Sequence, residues 1–423
     1  MDFIFTKRAK LIFSVLMLIG VIAMVVGYAT DTSDHHNRFW ANIFVNGFFY
    51  FAISLGALFF LALQYATEAS YMVALKRVIE GISQYIFVGS AILIVFFAAG
   101  TFHLHHVYHW MDISVMYEFV MEASMGTPHP EYVHEMVDGA VKNSHYDKII
   151  AGKSAYLNQP FFWIRTLIYI GVWCYFANLF RKRSLLEDAQ GGTKIHFKNM
   201  TYAAIFLVFF AFTSSTASWD WIMSIDTHWF STLFGWYVFS GMWVSFMIVF
   251  VLLSIWLKNK GYLPNVNKSH IHDAGKWMFA ISFLWTYLWF SQFMLIWYSN
   301  IPEEVTYYIT RIKDYNSLFF GIFFVNFLFP MIMLISRDAK RQIGYLIVVG
   351  VIIFVGHWLD VYMMIMPGSI GHNHAEVGFI LSEIGMALGF LGLFLFVVFR
   401  AFSKAPISVV NHPFLDESNH LHI

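Results

Sequence analysis

Apolar runs long enough to cross a bilayer recur along the whole chain, near residues 11–28, 41–63, 82–100, 160–180, 200–217, 233–256, 277–297, 318–336, 343–366 and 378–399. About 20 apolar residues in a helix cover the hydrocarbon core. In lipid the backbone has to satisfy its own hydrogen bonds, which leaves helices and closed barrels as spanning structures. Barrel strands would alternate apolar and polar residues over about ten positions, and these runs do not alternate. The sequence therefore predicts an all-α integral membrane protein with about ten transmembrane helices. The first run, in "KRAKLIFSVLMLIGVIAMVVGYAT", is too long for a typical secretory signal core. No A-x-A-like site follows it, so it is read as a span.

Composition supports this reading and excludes other classes. Of 423 residues, 59% are hydrophobic and 12% charged, against about 45–50% and 25% in soluble domains. Net charge is zero, so no nucleic-acid partner is expected. The single cysteine, Cys174, excludes an intrachain disulfide. It equally excludes an iron–sulfur cluster held by this chain's own thiolates, which takes about four. Of the 26 basic residues, 19 fall on the side of the chain that holds the N-terminus. The positive-inside rule then predicts both termini in the cytoplasm and an even number of spans.

The spans repeat. "SWDWIM" (218–223) and "HWLDVYM" (357–363) both set Trp and Asp where an apolar helix reaches the outer surface. Placing Asp220 over Asp360 aligns the second to fifth spans with the sixth to ninth. The offset of four helices makes the repeat parallel. "VNGFFYFAISLGALFFLAL" (45–63) and "FGWYVFSGMWVSFMIVFVL" (234–252) share the same aromatic and small-residue pattern. The expected organisation is a first helix and loop (1–40), a four-helix bundle (41–220) carrying a long outer loop (101–159), a second bundle (221–366), and a last helix and tail (367–423). The long loop reads as short interfacial helices over "MDISVMYEFVMEASMG" and "PEYVHEMVDGAVKN", a surface on which a partner could dock.

Ionisable residues inside an apolar slab face the bundle interior and often mark a pathway. His357 and Asp360 are three residues apart, on one helical face. Glu383 lies in the tenth run, and Arg165 and Asp220 near the headgroups. Thr213, Thr216 and Asp220 form one stripe. These seven residues are the candidates for proton transfer, with Arg165 or surface water expected to make ionisation accessible. Gln292, Ser291 and Asn326 are mid-span polar groups suited to helix–helix hydrogen bonding. A b-type haem needs facing histidines inside spans, and only His357 of the 19 histidines lies well inside one. In "HLHHVYH", His105 and His109 have the i, i+4 spacing of some zinc helices, but no further motif completes a metal site and none is assigned. His103 and His106, nearest the span, are the candidates for the wall of a quinone site.

Ten spans, a tandem four-helix repeat, few intramembrane histidines and the stretch "SWDWIMSIDTHWFST" together resemble the polysulfide-reductase/NrfD-type integral membrane subunits. Within that family the chain looks most like the second such subunit (the F subunit) of alternative complex III, a bacterial quinol:cytochrome c oxidoreductase. The resemblance implies a helical subunit without a redox cofactor of its own, with quinone or menaquinone as the candidate ligand. It implies iron–sulfur clusters and haem c in partner chains: an iron–sulfur protein, a multihaem cytochrome c and a related C-type membrane subunit. Of the candidate residues only Asp220, in "SWDW", lies in the shared stretch. A purely structural scaffold and a secondary transporter are the rival readings.

Overall fold

A computed structural model describes residues 2–112, 115, 119–121, 136–137, 140–142, 146–370 and 381–422. Ten of its helices are long and apolar enough to cross a membrane: Lys7–Thr30, Asp34–Ala66, Val73–Thr101, Gln159–Gln190, Lys194–Ile225, Phe234–Asn259, Lys268–Ser299, Asn316–Leu334, Ile343–Ile370 and Ser382–Phe402. They are the first to tenth spans below. The chain is a multi-pass, all-α membrane protein, and each apolar run of the sequence is a helix.

The helices outlast the runs, because a run reports only the part suited to lipid. The fourth span continues past residue 180 through Arg181, Lys182 and Arg183. The third begins at Val73, not near 82, and carries Lys76, Arg77 and Glu80 in its first turns. Local signals set the ends. Asn158 accepts from the Phe161 N–H at 3.0 Å, with Pro160 in the first turn of the fourth span. Asn267 and His270 form a capping box at the seventh. Spans four and five are joined through Gly191 and Gly192, at φ of +66° and +78°, backbone that a side chain would strain.

Helix packing reproduces the repeat. The second span packs on the third and fifth, and the fourth closes the ring against the same two. The sixth packs on the seventh and ninth, and the eighth closes that ring. Across the interface the second span meets the sixth and ninth, while the sixth meets the second and fifth. Exchanging second with sixth and fifth with ninth maps these contacts onto themselves, the pattern of two like bundles related by a two-fold axis. The second span lies at the centre and is buried nearly all round, as a helix apolar on every face should be. Its Asn46 accepts from Trp358 Nε1 of the ninth span at 2.9 Å.

The first and tenth spans form a pair beside the first bundle, joined through glycine. A Cβ on Gly389 would lie 2.4 Å from the Gly20 Cα, and one on Gly385 would meet Ala23 at 2.5 Å. Close small-residue contact is how helices associate in lipid, where no hydrophobic drive separates them from the tails. Gly389→Leu is expected to destabilise the protein by about 1–3 kcal/mol or more through overpacking. Thermal unfolding in detergent measures this, and an unchanged midpoint would contradict the glycine contact.

The outer segment departs from expectation. Its described parts include three short antiparallel strands, Phe119–Met121, Met136–Val137 and Ala140–Lys142, with Val120 opposite Val141 and Met136 also opposite Val141. Interfacial helices are the expectation for both stretches; 119–121, 136–137 and 140–142 are strand instead, and most of the other residues of the two stretches lie outside the described residues. The physical reason for the difference is local: these short segments contain valine, which favours strands.

Candidate functional site

Asp360 lies in the second bundle, 2% exposed. The Tyr237 hydroxyl of the sixth span donates to its Oδ1, and Trp285 Nε1 of the seventh donates to Oδ2 at 3.0 Å. Among the described residues no cation lies within ion-pair reach of it. His357, one turn earlier on the same face, is 1% exposed, and neither ring nitrogen has a hydrogen-bond partner. The Trp285 ring stands edge-on to His357 at 5.2 Å, so one indole touches both groups. Asn326, beside them, also has no partner for its amide and sits in the π-helical turn Phe324–Leu328 of the eighth span. A Cβ on Gly356 would come within 2.0 Å of Asn326 Oδ1, so only glycine lets the two helices approach here. π-Turns often mark functional sites.

Asp220, the matching residue of the first bundle, has a different environment. Arg165 donates to it through Nε and Nη2 at 2.8 and 2.9 Å, and the Tyr169 hydroxyl does so at 3.2 Å. A bidentate guanidinium–carboxylate pair fixes charge and geometry together. Arg165 therefore pairs with Asp220 and not Asp360, so of the two agents expected to make ionisation accessible, Arg165 or surface water, the arginine is not at Asp360. In the sequence alignment of the two bundles Phe48 stands opposite Tyr237, so the first bundle has no hydroxyl there. Thr213 and Thr216 donate to carbonyls four residues back, at 2.9 and 3.1 Å. Thr213 also accepts from Trp173 Nε1 at 3.2 Å. The stripe is used in hydrogen bonds within and between helices, and neither threonine bonds Asp220.

Glu383 sits at the start of the tenth span, where Arg38 Nε donates to it at 2.9 Å and the Tyr362 hydroxyl at 3.4 Å. It is thus closer to the membrane edge than its place in an apolar run suggests, and it does not join Asp360. His103 and His106 both face Asp112, at 3.1 and 2.7 Å, in a partly exposed position. His105, between them, is the buried one: it stacks on Phe96 and bonds its carbonyl at 3.1 Å. Burial pushes its pKa down to about 4, so it is neutral at ordinary pH. Residues 105–108 are not helical, so the i, i+4 spacing of His105 and His109 does not put them on one face.

The route from Asp360 toward the surface runs through residues that are not among the sequence's proton-transfer candidates. A cavity of about 20 Å³, room for one water, is lined by Tyr237, Gln292, Tyr307, Tyr308 and Arg311. Tyr307 and Tyr308 belong to the amphipathic helix Pro302–Asp314, between the seventh and eighth spans. Burial is the main reason that Tyr307 is raised to about 12 and Tyr308 is raised as well. Both stay protonated and can donate. Arg311 closes the far end of the cavity. It donates to the Met363 and Met364 carbonyls at 3.1 and 3.2 Å, and to Asp226 Oδ2 at 3.1 Å. Asp226 has 28% of its side chain exposed, so the series of polar groups ends at solvent. Asp360, His357 and this cavity form the site. Arg165, Asp220, Thr213, Thr216, Glu383, His103 and His106 lie outside it. No protein-family model and no curated protein matches the chain.

Proposed function

We propose that this chain is the proton-handling membrane subunit of a respiratory quinol:cytochrome c oxidoreductase of the alternative complex III type. It would sit in the bacterial inner membrane with both termini cytoplasmic. The reading rests on the resemblance of "SWDWIMSIDTHWFST" to the NrfD-type subunits. The observation that carries it furthest is Asp360, a fully buried carboxyl with two neutral donors and, among the described residues, no cation within ion-pair reach. A buried carboxyl with neutral partners is a group suited to exchanging a proton, whereas Asp220 is gripped by the bidentate Arg165.

Quinol oxidation releases two protons with its two electrons, and those protons need an acceptor and an exit. Asp360 would take a proton and hand it through the Tyr237 hydroxyl to the water-sized cavity. The hydroxyls of Tyr307 and Tyr308 and the Gln292 amide would orient that water. Arg311 repels a free cation but orders the rim, where Asp226 meets solvent. The cavity has room for a water and not for a quinone ring, which supports quinol oxidation in a related partner subunit. In that assembly the electrons pass to iron–sulfur and multihaem c chains.

The scaffold reading draws on the first bundle, where Arg165 and Asp220 are paired with each other. The transporter reading expects broken helices at matching positions of both halves. The π-turn of the eighth span has no counterpart in the fourth, continuous from Gln159 to Gln190. Purifying the assembled complex from its membrane tests the proposal. Iron–sulfur and haem c chains should copurify with quinol:cytochrome c activity, and the separated subunit should lack a b-type band in its reduced-minus-oxidised spectrum. A subunit that purifies alone and supports no quinol-dependent reduction would end the proposal.

A further inference from the structure

The basic end of the molecule holds a second buried polar cluster, which the proton pathway does not use. Glu187 ends the fourth span, His196 begins the fifth, and His412 comes from the C-terminal tail. The three are 0%, 2% and 7% exposed. One ligating atom from each can be chosen so that all lie within 4.8 Å of one another. Among the described residues neither nitrogen of His196 has a hydrogen-bond partner, and neither does Glu187 Oε1. Unpaired buried polar atoms are rare and call for a partner.

We propose that Glu187, His196 and His412 form a structural site for a divalent transition metal, with zinc as the best match. Two imidazoles and a carboxylate are ligands that zinc accepts, in a tetrahedron completed by a fourth group. Ligand atoms at about 2.0–2.1 Å from zinc lie roughly 3.3 Å apart, so closing the site asks for side-chain adjustment and no refolding. His196 Nδ1 is already 3.7 Å from Glu187 Oε1. His196 Nε2 points the other way, 3.9 Å from Glu68 Oε1. A carboxylate on the outer nitrogen is the usual way to orient a ligating imidazole. A cavity of about 20 Å³ adjoins the histidines and is lined by both, with Glu68 and Lys76, leaving space for a water.

Charge has to be reckoned with. Lys76 donates to the other Glu187 oxygen at 2.7 Å. Nearby, Glu80 is shared between Arg77 and Arg181 at 2.7 Å each, and Arg77 also pairs with Asp188. Lys76, Arg77 and Arg181 thus balance Glu80, Glu187 and Asp188, and the imidazoles add no charge. A divalent ion would bring excess positive charge, offset in part by Glu68. The site therefore binds through its ligand chemistry and not through a negative field.

The expected role is to clasp the tail. Asn411 and Val410 already bond Asp188, at 2.7 and 3.2 Å, and Ser418 lies against His270 at 3.3 Å. A metal bridging the fourth span, the fifth and the tail would lock that strap across the basic end. The test uses the full chain purified in its native assembly without chelator, loaded with Zn²⁺ and freed of excess metal. About one zinc per chain is expected by elemental mass spectrometry, and Co²⁺ substitution should give a tetrahedral visible band. His412→Ala should lower metal retention by about tenfold or more and speed proteolysis of the tail. His420→Ala, an exposed histidine on the same tail, should retain the metal. Zinc below a tenth of an equivalent in the wild type would overturn the proposal, as would retention unchanged in His412→Ala or lost equally in His420→Ala.

Discussion

Arg165→Leu is expected to destabilise the protein by about 3–5 kcal/mol, the loss typical of leaving one partner of a buried ion pair alone. Asp220 is 0% exposed. Without the guanidinium it keeps the Tyr169 hydroxyl at 3.2 Å, a longer contact than either of the arginine's. Arg165 also stacks over Tyr156 and Phe161, its guanidinium carbon 3.9 and 4.1 Å from their ring centres, so the substitution loosens the start of the fourth span too. The double variant Arg165→Leu/Asp220→Leu removes both charges and should recover much of the loss, because apolar replacement of a whole buried pair is often near neutral. Thermal unfolding of both variants in one detergent separates these terms. A single variant as stable as the double would show that the pair contributes no burial penalty and that Asp220 finds another partner.

Asp360→Asn is expected to leave the complex assembled and to reduce quinol-dependent electron transfer, or its coupled proton release, by about tenfold to a hundredfold or more, the lower range for losing a positioned proton-transfer group. The amide is nearly isosteric and can still accept from Tyr237 or Trp285, so the fold should hold. Asp360→Glu keeps a titratable carboxyl and should retain part of the activity. His357→Gln should weaken function less, since no hydrogen bond ties His357 to the acid. A scaffold role gives another pattern: all three variants turn over normally, or all three fail to assemble. Assembly is therefore measured on the same samples, by the copurifying chains.

Much of the fold was legible because lipid imposes a long, one-dimensional constraint. A run such as 343–366 needs no tertiary information to be read as a helix, and the "SWDW" and "HWLD" stretches carry the repeat on their own. The long outer loop was not legible, since its short Val-containing stretches fit helix and strand alike. The third span was read too short because Lys76, Arg77 and Glu80 depress hydropathy. Those residues are buried among partners from the fourth span, with Lys76 and Glu187 separated by 111 positions.

The site divides the same way. Asp360 and His357 stood out as polar letters in an apolar helix. Their surroundings did not, because Tyr237 and Trp285 lie 123 and 75 residues from Asp360 in sequence. Tyrosine and tryptophan in an apolar run also look like ordinary core or interface residues. In sequence Arg311 is one of the seven basic residues that do not share the N-terminal side, and Gln292 looks like a helix–helix bonder. Asp220 and Asp360 look alike as letters in a repeat. They differ in chemistry because one has an arginine within reach and the other has a phenol and an indole.

Infrared difference spectroscopy of the assembled complex, with turnover started by quinol, observes the protonation of Asp360 most directly. Proton exchange at this residue predicts a protonated-carboxyl band that changes on quinol addition in the wild type, shifts in Asp360→Glu and is missing in Asp360→Asn. The same carboxyl band in the wild type and in Asp360→Asn, with equal proton release, would contradict it.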